Sequence, residues 1–80
     1  MLYQTIFHPD HADPPFTLEL VEVEGANPRL ALKWNLDEVV ASAQEVCRDY
    51  FGTDIFTRNE LASQIFIIDD NGRWLSAEDL

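Results

Sequence analysis

The sequence predicts an α+β fold, with one main amphipathic helix packed on one face of an antiparallel sheet of four to five strands. Segments of alternating or continuous apolar residues lie towards both ends of the chain, and a segment with helical spacing of apolar residues lies between them. The pair Asn71-Gly72 favours a type I′ hairpin turn near the end. With 80 residues, 46% of them hydrophobic, the chain is expected to form a single domain, residues 1–80.

Five segments are predicted to be strands because apolar residues alternate or run together in them. They are residues 2–8, 16–24, 29–34, 65–68 and 73–75. The first suits either a strand covered on both faces or an edge strand. In the second, the apolar phase changes at Leu20-Val21, which predicts a β-bulge or a second packing surface. Leu30, Leu32 and Trp34 alternate in the third, which is therefore expected to pair with the second as an antiparallel hairpin.

The main helix is predicted between Asn35 and Gly52. Asn35 is a good N-cap with Glu38 in the capping-box position, and Gly52 suits the end of a helix. The apolar residues between them recur at helical spacing and are expected to pack on the sheet. This stripe consists of Leu36, Val39, Val40, Ala43, Val46, Cys47, Tyr50 and Phe51. Thr57 and Glu60 form a second capping box, which predicts a short helical turn.

Charge is the property most informative about function. The chain has 15 acidic and 5 basic residues, a net charge of −10. Direct binding of DNA or RNA is disfavoured, because so few cations cannot overcome the repulsion from a polyanion. Residues 1–7 lack the basic start of a signal peptide, and no apolar run is long enough to cross a membrane. Cys47 is the only cysteine, so we expect a cytoplasmic protein without an internal disulfide.

The carboxylates fall into rows that suit contact with a basic partner. Glu38, Glu45 and Asp49 of the predicted helix lie within about 40° of one another, and other carboxylates line the second strand and the last hairpin. The expected partner-binding residues are Glu19, Glu22, Glu24, Glu38, Glu45, Asp49, Asp69 and Asp70. Arg29 and Lys33 are expected to pair across strands with the strand carboxylates. The expected partner is a basic surface that normally holds nucleic acid, since carboxylates there would take the place of phosphates. The alternative is that acidity only aids solubility.

Two patterns in the sequence partly match metal sites. One loop combines imidazoles and carboxylates at a density that could hold a divalent ion, although its spacing matches no metal motif. Its residues are His8, Asp10, His11 and Asp13. Residues 69–78 partly match a calcium-binding loop, but Ile67 stands where the first ligand should be. A plain acidic loop and a hairpin turn explain both patterns, so neither a metal nor a cofactor is predicted.

The chain contains no catalytic constellation. Cys47 lies on the apolar stripe, where burial keeps a thiol protonated and unreactive, and neither a phosphate-binding loop nor a nucleophile elbow occurs. The aromatic residues are candidate interface anchors, although core packing explains most of them more simply. These candidate anchors are Tyr3, Trp34, Tyr50, Phe56 and Trp74. Phe56 is expected to be the most exposed of these.

In size, acidity, α+β organisation, absence of catalytic motifs and the carboxylates named above, the chain resembles small phage-encoded DNA mimics, particularly anti-CRISPR proteins. The resemblance implies a non-enzymatic inhibitor that occupies the basic DNA-binding groove of a Cas effector in the cytoplasm of a bacterial host. The alternative prediction is a small acidic oligomerising adaptor or accessory subunit, antitoxins included, that binds through an edge strand and aromatic residues. A homodimer is compatible with either prediction.

Overall fold

A four-stranded antiparallel sheet carries one long helix on one of its faces, which confirms the predicted α+β class. The computed structural model describes residues 1–9, 15–52 and 57–79. In chain order the elements are β1 (Leu2–Phe7), β2 (Phe16–Glu22), α1 (Pro28–Val46), a π-helical segment (Cys47–Phe51), α2 (Arg58–Ala62), β3 (Ile65–Ile68), β4 (Trp74–Ser76) and a 3₁₀ turn (Ala77–Asp79).

The strand order β2-β1-β3-β4 places β1 inside the sheet, so of the two alternatives predicted for residues 2–8 the edge strand is wrong. Tyr3, Thr5 and Phe7 point towards the helix and are buried, as are Ile65 and Ile67 of β3. Helix α1 supplies the other side of the core through side chains that recur every three to four residues. Its buried residues are Ala31, Leu32, Val39, Val40 and Ala43.

A β-bulge interrupts the pairing of β1 with β2. Gln4 lies opposite Leu20 but Ile6 lies opposite Thr17, so Leu18 and Glu19 together face the single residue Thr5. The bulge brings Val21 to the face that carries Phe16 and Leu18, in line with the bulge that the change of phase predicted. It occurs before Leu20-Val21, however, and therefore Leu20 points away from the helix while Glu19 turns towards it.

Side chains of β1 hold the bulge by hydrogen bonds to its backbone. The hydroxyl of Thr5 donates to the carbonyl of Glu19 at 2.5 Å, and the amide of Gln4 donates to the carbonyl of Leu18 at 2.5 Å. Thr5 is fully buried, so its hydroxyl needs this partner. The bulge is therefore specified from the neighbouring strand as well as from β2.

Residues 29–34 are helical, so the predicted third strand and its hairpin with β2 are wrong. Pro28 occupies the first position of α1, and the side chain of Asn27 accepts a hydrogen bond from the Leu30 amide at 3.1 Å. Residues 28–34 contain no β-branched side chain and are rich in strong helix formers, which favours this conformation. Asn35, predicted as the N-cap, instead donates to the carbonyl of Ala31 within the helix.

The far end of the helix also differs from the predicted pattern. Gly52 ends it in the left-handed conformation with φ of 65°, as predicted. The π-helical segment before it widens the turn, and residues after Val46 lag behind the α-helical phase. Tyr50 is consequently 70% exposed and Phe51 49% exposed, so both were wrongly predicted to lie on the buried stripe. Their rings contact Phe16 of β2.

The last elements follow the predicted order. The Thr57 side chain caps α2 by accepting from the Glu60 amide at 3.2 Å. The β3–β4 hairpin has a three-residue loop, because the Gly72 amide donates to the Asp69 carbonyl and the Asp69 amide to the Arg73 carbonyl. The two-residue type I′ turn was therefore wrong, although Gly72 does supply the positive φ, 78°. The predicted pairing of Arg29 and Lys33 with β2 is lost with the third strand.

Candidate functional site

The eight carboxylates predicted to bind a partner do not form one continuous row. Six of them have exposed side chains: Glu22, Glu24, Glu38, Glu45, Asp49 and Asp70. The other two, Glu19 and Asp69, are half-buried and accept hydrogen bonds from within the chain. By position the set divides into two groups. One lies on the helix and includes Glu19, which reaches α1 from β2; the other lies at one end of the sheet.

The bulge in β2 brings Glu19 into the helix group. The hydroxyl of Ser42 donates to Oε1 of Glu19 at 2.7 Å. Ser42 lies on α1 between Glu38 and Glu45, one turn from each, and its hydroxyl is also 3.1 Å from the Glu38 carbonyl. A carboxylate from the sheet thus lies beside two carboxylates of the helix. In a regular strand Glu19 would point to the other side of the sheet from Leu18.

Trp34 belongs to the same surface. At about 100° per residue, Trp34, Glu38, Ala41 and Glu45 fall within about 60° of arc on the side of α1 that faces away from the sheet. Trp34 is 69% exposed, which is unusual for so large an apolar side chain. We define the acidic face as Glu19, Trp34, Glu38 and Glu45. Trp34 was a candidate interface anchor but not a predicted partner-binding residue; its place beside Glu38 follows from the helix start at Asn27-Pro28, a signal that the strand prediction for residues 29–34 overlooked.

Few cations oppose these carboxylates. Within residues 1–9, 15–52 and 57–79, the one ion pair joins Arg58 of α2 to Asp37 of α1, and both side chains are largely exposed. Arg48 follows Glu45 by three residues and precedes Asp49, so the acidic face ends near a positive charge. Asp49 lies in the π-helical segment Cys47–Phe51, off the α-helical phase of Glu38 and Glu45, so only the first two members of the predicted row belong to the acidic face.

The second group lies at the end of the sheet where β1 starts. Glu22 pairs with Leu2, and Glu24 follows two residues later. Asp69 has a structural role, since its Oδ1 accepts hydrogen bonds from the backbone amides of Asn71 and Arg73 at 2.9 and 2.8 Å. Asp70 accepts from the Tyr3 hydroxyl at 3.3 Å.

Burial, followed by the neighbouring Asp70 and then Asp69, raises the pKa of the Tyr3 phenol above its ordinary value. The half-buried Asp69 shapes the hairpin through the two hydrogen bonds to its Oδ1, and its contact with a partner stays a prediction.

The face of the sheet opposite α1 is a second surface of interest. The strand pairing places three rows of side chains on this face, each running across the sheet. The rows are Glu22 and Leu2; Leu20, Gln4, Ile68 and Trp74; and Thr17, Ile6, Phe66 and Ser76. We call these ten residues the open sheet face. Leu2 is 61%, Leu20 56% and Trp74 43% exposed, whereas Ile6 in the third row is buried. The Trp74 ring contacts the rings of Phe66 and His8, at centroid distances of 5.6 and 5.9 Å.

The remaining candidates contribute little. Cys47 is 2% exposed, and burial raises the pKa of its thiol, which disfavours the reactive thiolate. In the part of the chain that the structure describes, no group of three or more His, Cys, Asp and Glu residues could hold a metal ion. Of the loop residues that could have held a divalent ion only His8 is described; Asp10, His11 and Asp13, like the candidate anchor Phe56, lie outside the described residues.

Comparisons with known proteins give no relative: the chain matches no protein-family model, no curated protein and no solved structure. None of the helices in the described ranges has the length and apolar character needed to cross a membrane. Functional inference therefore depends on the two surfaces described above.

Proposed function

We propose that this protein is a non-enzymatic binding protein that uses its acidic face to occupy a basic surface on a nucleic-acid-binding protein, and thereby inhibits that protein. The observation that supports this most is the convergence of Glu19, Glu38 and Glu45 beside the exposed Trp34, with no cation paired to these carboxylates within the described residues. The narrower form of the proposal, suggested by the resemblance to anti-CRISPR proteins, is that the target is a Cas effector.

Electrostatics favours a basic partner over a neutral one. A net charge of −10 on 80 residues attracts a cationic surface at long range and accelerates encounter. Individual exposed ion pairs contribute only about 0.2–1 kcal/mol each, so a few carboxylates give direction and register more than affinity. The complex consequently needs an anchor in addition to charge.

Trp34 suits the role of that anchor. Tryptophan is enriched among the residues that dominate binding energy, and its ring is the best partner for a guanidinium or ammonium group. Glu38 lies one helical turn from Trp34, so an arginine stacked on the indole would have a carboxylate within one turn. A groove lined with Arg and Lys therefore matches both parts of the acidic face.

The test is competition for DNA. A purified Cas effector complex bound to its target DNA is titrated with the protein, and release of labelled DNA is measured at about 50 and about 500 mM salt. We expect release at low salt, and a loss of affinity of at least tenfold, about 1.4 kcal/mol, in the double variant E38K/E45K. Trp34→Ala should weaken competition to a similar extent, whereas Tyr50→Ala, at an equally exposed aromatic, should not.

A matched pair of reversals controls for net charge. The variant E60K/E78K changes the charge by the same amount at exposed acids that lie off the acidic face. Equal loss of competition in E60K/E78K and E38K/E45K would contradict the proposal, since it would mean that overall charge rather than this face matters. Failure to release DNA from Cas effectors, together with an oligo-arginine peptide that leaves the Trp34 indole signal unchanged, would reject a basic partner altogether.

An oligomerising adaptor remains the second candidate, and the open sheet face favours it. The edge strands themselves are poor templates for a further strand: β4 has three residues, and β2 is bulged and ends at Glu22. Apolar contact through the sheet face is the form of that alternative with the best support.

A further inference from the structure

The open sheet face differs in charge from the rest of the surface. One of its ten residues, Glu22, is charged, and this residue lies at a corner. On α1, five of the seven exposed residues are charged: Arg29, Lys33, Asp37, Glu38 and Glu45. Among the described residues, the open sheet face is thus almost neutral, and it carries the exposed side chains of Leu2, Leu20 and Trp74.

We propose that the open sheet face binds a second copy of this chain, so that the protein forms a homodimer with the two sheets packed face to face. A partner with a basic surface would gain little there, because the face offers it one carboxylate. A like-charged copy, in contrast, meets little repulsion at a neutral surface. The two sheets would pack about 10 Å apart, and the helices, on the outer sides, would be separated by more than the Debye length of about 8 Å at physiological salt.

The strand order makes the face self-complementary. A two-fold axis parallel to the strands would stack β2 of one copy over β4 of the other, since these are the two edges of the sheet. Leu20 would then pack on Trp74 of the second copy, and Trp74 on its Leu20. The lone Glu22 would lie at a corner of the interface, near the β3–β4 hairpin of the other copy.

The area of the face predicts weak association. Four strands of three to seven residues, about 4.8 Å apart and about 3.3 Å long per residue, give a footprint of roughly 300 Å² per copy. The total of roughly 600 Å² lies below the 1,200–2,000 Å² or so typical of stable complexes. We therefore expect a dissociation constant weaker than about 10 μM and fast exchange between monomer and dimer.

The two tryptophans report on opposite sides of the molecule, so the experiment needs no external probe. Indole N–H signals are followed by ¹⁵N NMR as the protein is diluted from about 1 mM to about 10 μM, with sedimentation as a second measure of mass. We expect the Trp74 signal to move with concentration while the Trp34 signal stays fixed. Leu20→Glu should abolish the shift, and Trp34→Glu, which adds the same charge on the other side, should leave it unchanged.

Salt separates this proposal from the proposed function. Dimerisation should be unchanged or tighter as salt increases, since only repulsion is screened, whereas binding of the acidic face to a basic partner should weaken. A chain that stays monomeric at about 1 mM would overturn the dimer and leave the face to a different partner, without bearing on DNA competition. Equal effects of Leu20→Glu and Trp34→Glu, or shifts confined to backbone amides of an edge strand, would also overturn it.

Discussion

Replacement of Thr5 by valine tests whether a side-chain hydrogen bond holds the bulge that positions Glu19. The two side chains have nearly the same shape, so the change removes the hydroxyl without leaving a cavity. Thr5 is fully buried, and the carbonyl of Glu19 would lose the donor that lies 2.5 Å away. An unsatisfied buried acceptor costs about 1–3 kcal/mol, and the extra apolar methyl returns up to about 0.8 kcal/mol.

The net expectation is a loss of about 1–2 kcal/mol in the free energy of unfolding, measured by urea denaturation. For a domain of this size, that loss corresponds to a decrease of roughly 4–16 °C in Tm. Thr17→Val is the matched control, because Thr17 is exposed on the neighbouring strand, and a surface change there should stay within about 0.5 kcal/mol. If the two variants are equally stable, the hydroxyl does not hold the bulge and our account of how Glu19 reaches α1 is wrong.

Three further predictions concern the ends of elements and the Tyr3 phenol. Asn27→Ala should cost about 1 kcal/mol in urea denaturation because the Leu30 amide loses its cap, and an unchanged midpoint would argue against a helix start there. Gly72→Ala should cost about 1–2 kcal/mol through its φ of 78° alone, since nothing lies within 4 Å of the added carbon, and Gly72→Asn should cost less. Burial and Asp70 raise the pKa of Tyr3, so the unfolded chain releases this proton first and stability should fall as the pH rises past about 10. Tyr3→Phe should make that fall shallower in denaturation measured against pH; an unchanged slope would contradict it.

Local chemistry made several parts of the fold predictable. The capping box of Thr57 and Glu60, the positive φ of Gly52 and the β-branched run at residues 65–68 each specify structure within a few residues. Their signals do not depend on what packs against them. The sheet, the main helix and the β3–β4 hairpin could therefore be inferred from the sequence before their partners in space were known.

The start of α1 was missed because two local signals compete. Leu30, Leu32 and Trp34 alternate as in a strand, yet Leu30 is half-buried, Leu32 is buried and Trp34 is exposed, as on a helix. Asn27 and Pro28 together give the stronger signal, because an N-cap followed by proline starts a helix and cannot continue a ladder. The error also hid the relation of Trp34 to Glu38, which requires helical spacing.

The acidic face itself depends on long-range structure. The phase change in β2 predicts a bulge, but its position is set by Gln4 and Thr5 on the neighbouring strand. Only after that position is fixed does Glu19 reach Ser42. The π-helical segment is also invisible in the pattern, since one wider turn changes which of the following residues are buried without changing their spacing in the sequence.

Cys47 is buried at the junction of α1 and the π-helical segment, so the rate at which its thiol is labelled reports how often that junction opens. Thiol reagents attack the thiolate, and a side chain that is 2% exposed cannot meet them while the junction stays closed. The labelling rate of the native protein therefore depends on local opening, in which this part of the helix separates from the sheet. The amount of bound reagent, measured over time by mass spectrometry, would show whether the junction opens by itself or only when the whole domain unfolds.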